Sequence, residues 1–251
     1  MLSFVSNDHE VVSCFRVMAA IRTARERART ELVGEITRAA REQLAHHGAA
    51  GLSLRAVARD LGMVSSAVYR YFPSRDELLT ALILEAYNTL ADAGAAAQAR
   101  IRRTDYRRRW LVSCRAARRW AIAHPHEYAL IYGSPVPGYL APRETVEPAA
   151  RVMLIFLDVV RDAAVAGTLA TGRPQHPPLS ARLRSQLHAV TAEFAAEVPE
   201  DTLAGLFYGF SQLLGVISME LYGHFVGSVD PTEPFFDYAM NMTADLIGLP
   251  A

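Results

Sequence analysis

Apolar residues recur at helical spacing along most of this chain. Leu32, Ile36, Ala40 and Leu44 repeat every fourth position within residues 23–47, the width of one helix face, and the repeat stops before Gly48. Ser53 then stands where an N-cap belongs, before a short helix that reaches Leu61 and is stopped by Gly62. A second short helix is predicted from Ser65 to Phe72, because Pro73 cannot continue it. Ser74-Arg75-Asp76-Glu77 has the S-x-x-E form of a capping box and opens a helix over 75–97. The same periodicity predicts helices at 105–123, 125–132, 145–169, 179–196, 200–227 and 234–248. Between them lie Pro- and Gly-rich breaks at 133–142, 172–178 and 228–231. No sustained period-two run of β-branched residues occurs, so the expected fold is all-α.

At 251 residues the chain has room for one or two domains with a sizeable core. The 26 basic and 26 acidic residues cancel, which excludes a partner bound by bulk positive charge. The cancellation hides an uneven distribution. Residues 16–75 hold eleven Arg against five acids, a net of +6. Residues 100–119 hold nine Arg against one acid, a net of +8, and residues 120–251 six Arg against fourteen acids, a net of −8. Such asymmetry points to a polyanion-binding end. Lys is absent, so every cationic side chain is a planar fork suited to a phosphate or a guanine edge.

Residues 53–72, SLRAVARDLGMVSSAVYRYF, form a helix-turn-helix pattern. Val57, Ala58 and Leu61 make the inner face of its first helix, small Ala58 permits close approach, and Gly62 takes the turn. Val68 and Phe72 anchor the second helix, leaving Ser65, Ser66, Ala67, Tyr69, Arg70 and Tyr71 outward. Short hydroxyls at the N-terminal end with aromatic and cationic groups after them are what a recognition helix needs. Its first residues approach base edges and its later ones grip the backbone.

Residues 23–90 resemble the TetR (tetracycline-repressor-like) family of transcriptional regulators. The resemblance rests on G-x-x-x-L-S-L-R-x-V-A-x-x-L-G-M followed by V-S-x-x-V-Y-x-Y-F-P-S-R-D-E-L-L. It places Ser53 and Arg55 at phosphate or base contacts before the turn, Ser65, Ser66 and Ala67 at base-facing positions, and Tyr69 and Tyr71 at backbone and groove contacts. It places Arg75 at a phosphate contact where members often carry Lys. Ala67 offers only an apolar contact, for instance to a thymine methyl. Residues 121–139, AIAHPHEYALIYGSPVPGY, resemble the C-terminal domain of an actinobacterial subgroup. The resemblance implies a homodimer, an inverted-repeat operator in double-stranded DNA, a small-molecule effector and, most simply, a repressor. The expected organisation is a disordered or mis-started tail at 1–20, a helix-turn-helix domain at 21–72 and a larger helical ligand-binding and dimerisation domain at 73–251. A small-molecule sensor or carrier that kept the fold without specific DNA recognition is the alternative.

The remaining features refine this picture. Sixteen of twenty-two aromatics follow residue 100. Trp110, Trp120, Tyr128 and Tyr132, with Phe156, Tyr208 and Met219, are candidates to line an effector cavity, although each alone also suits an ordinary core. On helix 105–123, Trp110, Cys114, Ala117 and Ala121 share one face, and Arg108, Arg115 and Arg119 lie opposite. That basic face reads either as solvated or as a site for phosphate or another anion.

Gly205 and Gly209 form a G-x-x-x-G that permits close helix approach. Together with the apolar character of 202–227 they suggest a helix partly covered by a second subunit, and 200–227 with 234–248 is the expected dimer interface. Residues 202–227 carry only Glu220 as a charge, but their Ser, Gln and Gly positions favour a buried helix over a membrane span. His124 and His126 sit two apart and do not face each other, so no metal is expected. Two distant cysteines, Cys14 and Cys114, and an N-terminus without a basic, apolar leader pattern suit the cytoplasm. No P-loop, H-E-x-x-H or G-x-S-x-G occurs, so neither an enzyme nor a cofactor is expected.

Overall fold

Among the described residues the chain forms ten α-helices and no strand. The computed structural model describes the backbone of residues 8–170 and 177–250 and the side chains from residue 25 onward. The helices are α1 (Asp8–His47), α2 (Leu54–Asp60), α3 (Ser65–Tyr69), α4 (Arg75–Gln98), α5 (Tyr106–Ala123), α6 (Pro125–Tyr132), α7 (Val146–Val165), α8 (Ala181–Phe194), α9 (Glu200–Leu221) and α10 (Glu233–Ile247). Short 3₁₀ turns at Ala49–Gly51 and Arg143–Thr145 precede α2 and α7. Residues 1–7 and 171–176 lie outside the described residues, and with them the start of the expected N-terminal tail and most of the 172–178 break.

Local chemistry accounts for most boundaries. The Ser74 hydroxyl accepts from the Glu77 amide at 3.1 Å and Ser180 accepts from Leu183 at 3.2 Å, each closing a helix start. Pro125 opens α6 at a position where its missing N–H costs nothing. Three expectations need correction. The Ser53 side chain makes no capping bond, although Ser53 holds the N-cap position. The second helix of the helix-turn-helix stops at Tyr69 instead of Phe72, because Tyr71 and Phe72 both turn back to the Val68 carbonyl. Helix α9 stops at Leu221 and not near 227, where Gly223 and His224 donate to the Glu220 and Met219 carbonyls.

The chain divides into two compact units, one ending at Ala81 and the other beginning at Leu82, so the division falls inside α4. The core of the first unit is built from Ile36, Ala40 and Leu44 of α1, Leu54 and Val57 of α2, Val68 of α3 and Leu78 and Leu79 of α4. The core of the second unit centres on α5. Trp110 is fully buried, its indole N–H donates to the Met240 carbonyl at 3.2 Å, and its ring meets Phe156 edge to face. Gly205 and Gly209 face inward within this unit. A Cβ on Gly209 would lie 3.2 Å from both Ile247 and Trp110, and one on Gly205 would touch the α10 backbone. The G-x-x-x-G therefore packs α9 against α10 of the same chain and is not the intersubunit contact read from the sequence.

Helix α5 also carries four of the second unit's ion pairs, and this corrects the reading of its basic face. Arg118 makes a two-pronged pair with Glu220 of α9 (2.5 and 2.7 Å) and Arg115 another with Asp237 of α10 (2.8 and 2.9 Å). Arg107 donates to Asp245 and to the Leu249 and Pro250 carbonyls. Arg109 is buried, and donates to Asp162 of α7 at 2.7 Å, to the Arg103 carbonyl and to Gln98. Only Arg108 and Arg119 of the expected face remain exposed without an ion pair among the described residues.

Burial alone would raise the Asp162 pKa, but bonds from Arg103 and Arg109 outweigh it and hold the carboxyl below the usual aspartate range. A depressed folded pKa contributes stability above the unfolded value, and that contribution is lost as pH falls through the folded one. Asp162→Ala leaves the Arg109 charge buried and unpaired. It is expected to lower unfolding free energy at neutral pH by about 3 kcal/mol, measured by denaturant melts. The gap between wild type and variant should shrink on acidification below pH ~4.

Candidate functional site

In the first unit the helix-turn-helix is set by backbone geometry at Gly62. Its φ of +65° is left-handed, its amide donates to Arg59 at 3.0 Å, and the Met63 amide donates to Ala58 at 2.8 Å. This closes α2 and turns the chain into α3 without a Cβ penalty. Ala58 is buried beneath the turn, as close helix approach requires.

The outward residues fall as follows. Arg55, Ser66, Tyr69 and Arg70 are exposed, and Ser53, Ser65, Ala67, Tyr71 and Arg75 are half-buried. Tyr71 lies under the guanidinium of Arg29 of α1, 5.4 Å from its ring centroid, a cation–π contact that limits where the ring can go. Arg75 donates to the Ala49 carbonyl at 2.7 Å and so ties the start of α4 to the turn before α2, while its other terminal nitrogen lies 3.6 Å from the Asp76 carboxylate. Arg55 and Arg70 make no ion pair among the described residues, in contrast to the arginines of α5.

One positioning residue escaped the sequence reading. Gln43 of α1 is buried, donates to the Asp60 carboxylate at 2.9 Å and accepts from the Ser53 amide at 3.3 Å. A single side chain thus fastens both ends of α2. Its signal was a polar residue between Ala40 and Leu44 on the inner face of α1.

In the second unit the sequence candidates for an effector cavity are not brought together around one. Trp110 and Phe156 are core, with the Trp110 donor already used. The Trp120 indole donates to Thr89 at 3.1 Å, and the Tyr128 hydroxyl donates to the Leu214 carbonyl at 2.9 Å beside the Ser218 hydroxyl. Burial pushes the Tyr128 hydroxyl up to about 12, opposed by the Ser218 bond, and burial with neighbouring Tyr87 and Tyr128 raises Tyr132 as well. Tyr208 and Met219 point out from α9, 53% and 42% exposed. The same buried or exposed hydrophobic pattern suits core, cavity and interface, so type and spacing alone could not sort these residues.

A cavity of about 520 Å³ lies elsewhere in this unit, between α4, α6, the 133–145 loop and the start of α7. Its apolar wall includes Ile83, Leu130, Ile131, Val136, Val146 and Ala149. Tyr87, Ser134, Tyr139 and Thr145 add hydroxyls. None of the seven sequence candidates lines it, but Tyr132 meets Tyr87 edge to face at 6.1 Å just behind its wall. His124, one of the two nearby histidines, donates from Nδ1 to the Trp120 carbonyl at 2.9 Å and stacks on the Trp120 ring. Among the described residues no group of three His, Cys, Asp or Glu could hold a metal.

A helix-turn-helix with an outward second helix is the architecture of a DNA-binding protein. The comparisons identify which kind. Residues 36–82 match the family described as bacterial regulatory proteins, tetR family, and residues 110–243 match the tetracyclin repressor-like C-terminal domain. The HTH-type transcriptional regulator Rv1816 of Mycobacterium tuberculosis is 41% identical over 204 residues, covering 80% of this chain and 85% of that one, and a Mycobacterium bovis relative shows the same values. The crystal structure of SCO4313, described as a regulatory protein, superposes with a TM-score of 0.70 at 36% identity, over 87% of this chain and 97% of that one. A Rhodococcus sp. RHA1 structure of unknown function shares the fold (TM-score 0.62, 23% identity, 86% and 93% covered). The chain belongs to the TetR family of transcriptional regulators, and neither its family nor these relatives are described as enzymes.

Gln43→Leu is expected to strand the Asp60 carboxylate and the Ser53 amide, lowering stability by about 1–3 kcal/mol in thermal melts. It should weaken DNA binding beyond that loss, because α2 is then held at neither end. DNA affinity equal to wild type at temperatures well below the melt would show that Gln43 has no positioning role.

Proposed function

We propose that this regulator is a homodimer that binds an inverted repeat in double-stranded DNA and represses transcription in the cytoplasm, until a small, mostly apolar effector held in the second unit releases it. The observation that carries the reading is the outward surface of α3 and its neighbours. Ser66, Tyr69 and Arg70 are exposed, with Ser65 and Ala67 partly so, on a helix whose opposite side is fixed by buried Val68. Ser65, Ser66 and the Ala67 methyl suit base edges, with the methyl able to meet a thymine methyl. Tyr69, Arg70 and Tyr71, with Ser53, Arg55 and Arg75 on the flanking elements, suit phosphates. The naming of the relatives as HTH-type transcriptional regulators supports the same reading.

The dimer rests on a second observation. Tyr208, Gln212, Gly215 and Met219 of α9, and Tyr222 just after it, are exposed at four- and three-residue steps, the spacing of a helix–helix seam. Tyr238 and Met242 of α10 are exposed at 63% and 52%. Gly215 has nothing within 4 Å of where a Cβ would stand, which leaves a flat place for a neighbouring helix. Helix α9 is long and apolar enough to cross a membrane, yet Leu203, Leu206, Leu213 and Ile217 are committed to the protein core. Covering the remaining face with a second copy gives a four-helix contact from α9 and α10. Two recognition helices related by two-fold symmetry then read half-sites about one DNA turn, or a small multiple, apart.

Selection of bound sites from a random duplex library is expected to enrich an inverted repeat whose affinity falls steeply with salt. Tyr69→Ala should weaken binding to it about tenfold or more without changing the melt. Absence of any enriched repeat would reject sequence-specific regulation.

Gly215→Arg adds charge and bulk to the seam while improving helix propensity. Sedimentation should show a folded monomer that no longer binds the full repeat; an undiminished dimer would remove α9 from the interface.

A further inference from the structure

We infer that the cavity between α4, α6 and the 133–145 loop is the effector site, and that its ligand is an uncharged, largely apolar molecule bearing a hydrogen-bond acceptor for Tyr87. This deepens the regulator reading above and rests on it for the word effector; the binding chemistry stands on the cavity alone. The volume of about 520 Å³ lies within the ~300–1,000 Å³ of small-molecule sites. Helix α4 contributes Ile83 and Tyr87, α6 Leu130 and Ile131, and α7 Val146 and Ala149. Removing such surfaces from water favours an apolar occupant.

Charge is what the wall lacks. Among the described residues lining the cavity none is Arg, His, Asp or Glu, in a chain where a fifth of all residues are charged. Of the flanking arginines, Arg151 is committed to Asn88 and Asp92 on the solvent side, and Arg143 of the loop does not line the cavity. A carboxylate, phosphate or ammonium entering this space would lose hydration and gain no opposite charge, a net cost.

The polar points are hydroxyls, and they are not equally available. Thr145 is buried and already donates to the Pro142 carbonyl at 2.8 Å. Ser134 is exposed on the loop. The Tyr87 hydroxyl reaches the Ile131 carbonyl at only 3.4 Å, far beyond the ~2.7–2.8 Å typical of a hydroxyl donor. It can exchange that long bond for a shorter one to a carbonyl, ether or hydroxyl oxygen of the ligand. Burial raises the Tyr87 pKa, so the group remains a neutral donor.

The location also gives the occupant something to move. Tyr87 meets Tyr132 edge to face at 6.1 Å, and Tyr132 meets Tyr128 at 5.3 Å. Tyr128 in turn bonds the Leu214 carbonyl and the Ser218 hydroxyl of α9. Three contiguous rings thus join the cavity wall to the helix that carries the exposed seam.

The test uses two fluorescent naphthalenes with the full-length protein: prodan, neutral and bearing a ketone, and anilinonaphthalene sulfonate, of similar bulk but anionic. Prodan is expected to bind once per chain, about tenfold or more tighter than the sulfonate. Ala149→Trp, which fills the space from α7, should weaken prodan about tenfold. Tyr87→Phe should weaken it about threefold and shift its emission to the blue through loss of the hydrogen bond. Val146→Arg, on a rim position 63% exposed and therefore tolerant of substitution, should weaken prodan and tighten the sulfonate. Sulfonate binding to wild type as tight as prodan, or prodan binding unmoved by both Ala149→Trp and Val146→Arg, would overturn the assignment. DNA affinity of the wild type is measured in parallel. Prodan binding without any selected repeat would reject regulation and keep the cavity, whereas DNA binding without prodan binding would do the reverse.

Discussion

A guanidinium cannot be buried without partners, and helix α5 buries or half-buries several. Arg109 is the most enclosed, and Asp162, the Arg103 carbonyl and Gln98 surround it. Around it Arg107, Arg115 and Arg118 each find a carboxylate on α9 or α10. Fork-to-carboxylate pairs of this kind are directional, so they fix the rotation and height of α7, α9 and α10 against α5. The apolar core of Trp110, Phe156 and Leu213 then fills the space between helices already held in register. Ion pairing here contributes less to net stability than to selecting one arrangement, since desolvation cancels much of the attraction.

The same residue type does opposite work in the two units. Five of the nine arginines at 100–119 are paired inside the second unit with acidic residues that follow them. In the first unit Arg55 and Arg70 stay exposed around a short helix, with no carboxylate partner among the described residues. A chain of zero net charge thereby keeps its positive potential beside the helix-turn-helix, where long-range attraction to a polyanion is useful.

Regulation in such a protein requires two arrangements of the second unit that differ in free energy by an amount a ligand can shift. The uncharged cavity and the tyrosine chain behind it offer a place for that difference. In the proposed reading an occupant repacks Tyr87, and the ring contacts of Tyr132 and Tyr128 lead from there to α9. The G-x-x-x-G on the inner side of α9 makes this helix sensitive, since close contact with Ile247 and Trp110 leaves little room to absorb a shift.

By itself the sequence determined nearly all of the helices, the helix-turn-helix and the family, because those depend on neighbours a few residues apart. Apolar periodicity, the Ser74 cap, Gly62 and the prolines each act within one or two turns. The errors at Tyr69 and Leu221 are also local, and amount to a few residues. Which arginines are paired was decided by contacts across 53 to 138 positions of chain, and no spacing rule reaches that far. Likewise Trp110 and Tyr128 as core, Tyr208 and Met219 as surface, and Tyr87 as cavity wall are all aromatic or apolar residues on amphipathic helices. Only the tertiary structure assigns each its surroundings, because what an apolar side chain touches depends on which helix the rest of the fold places against it.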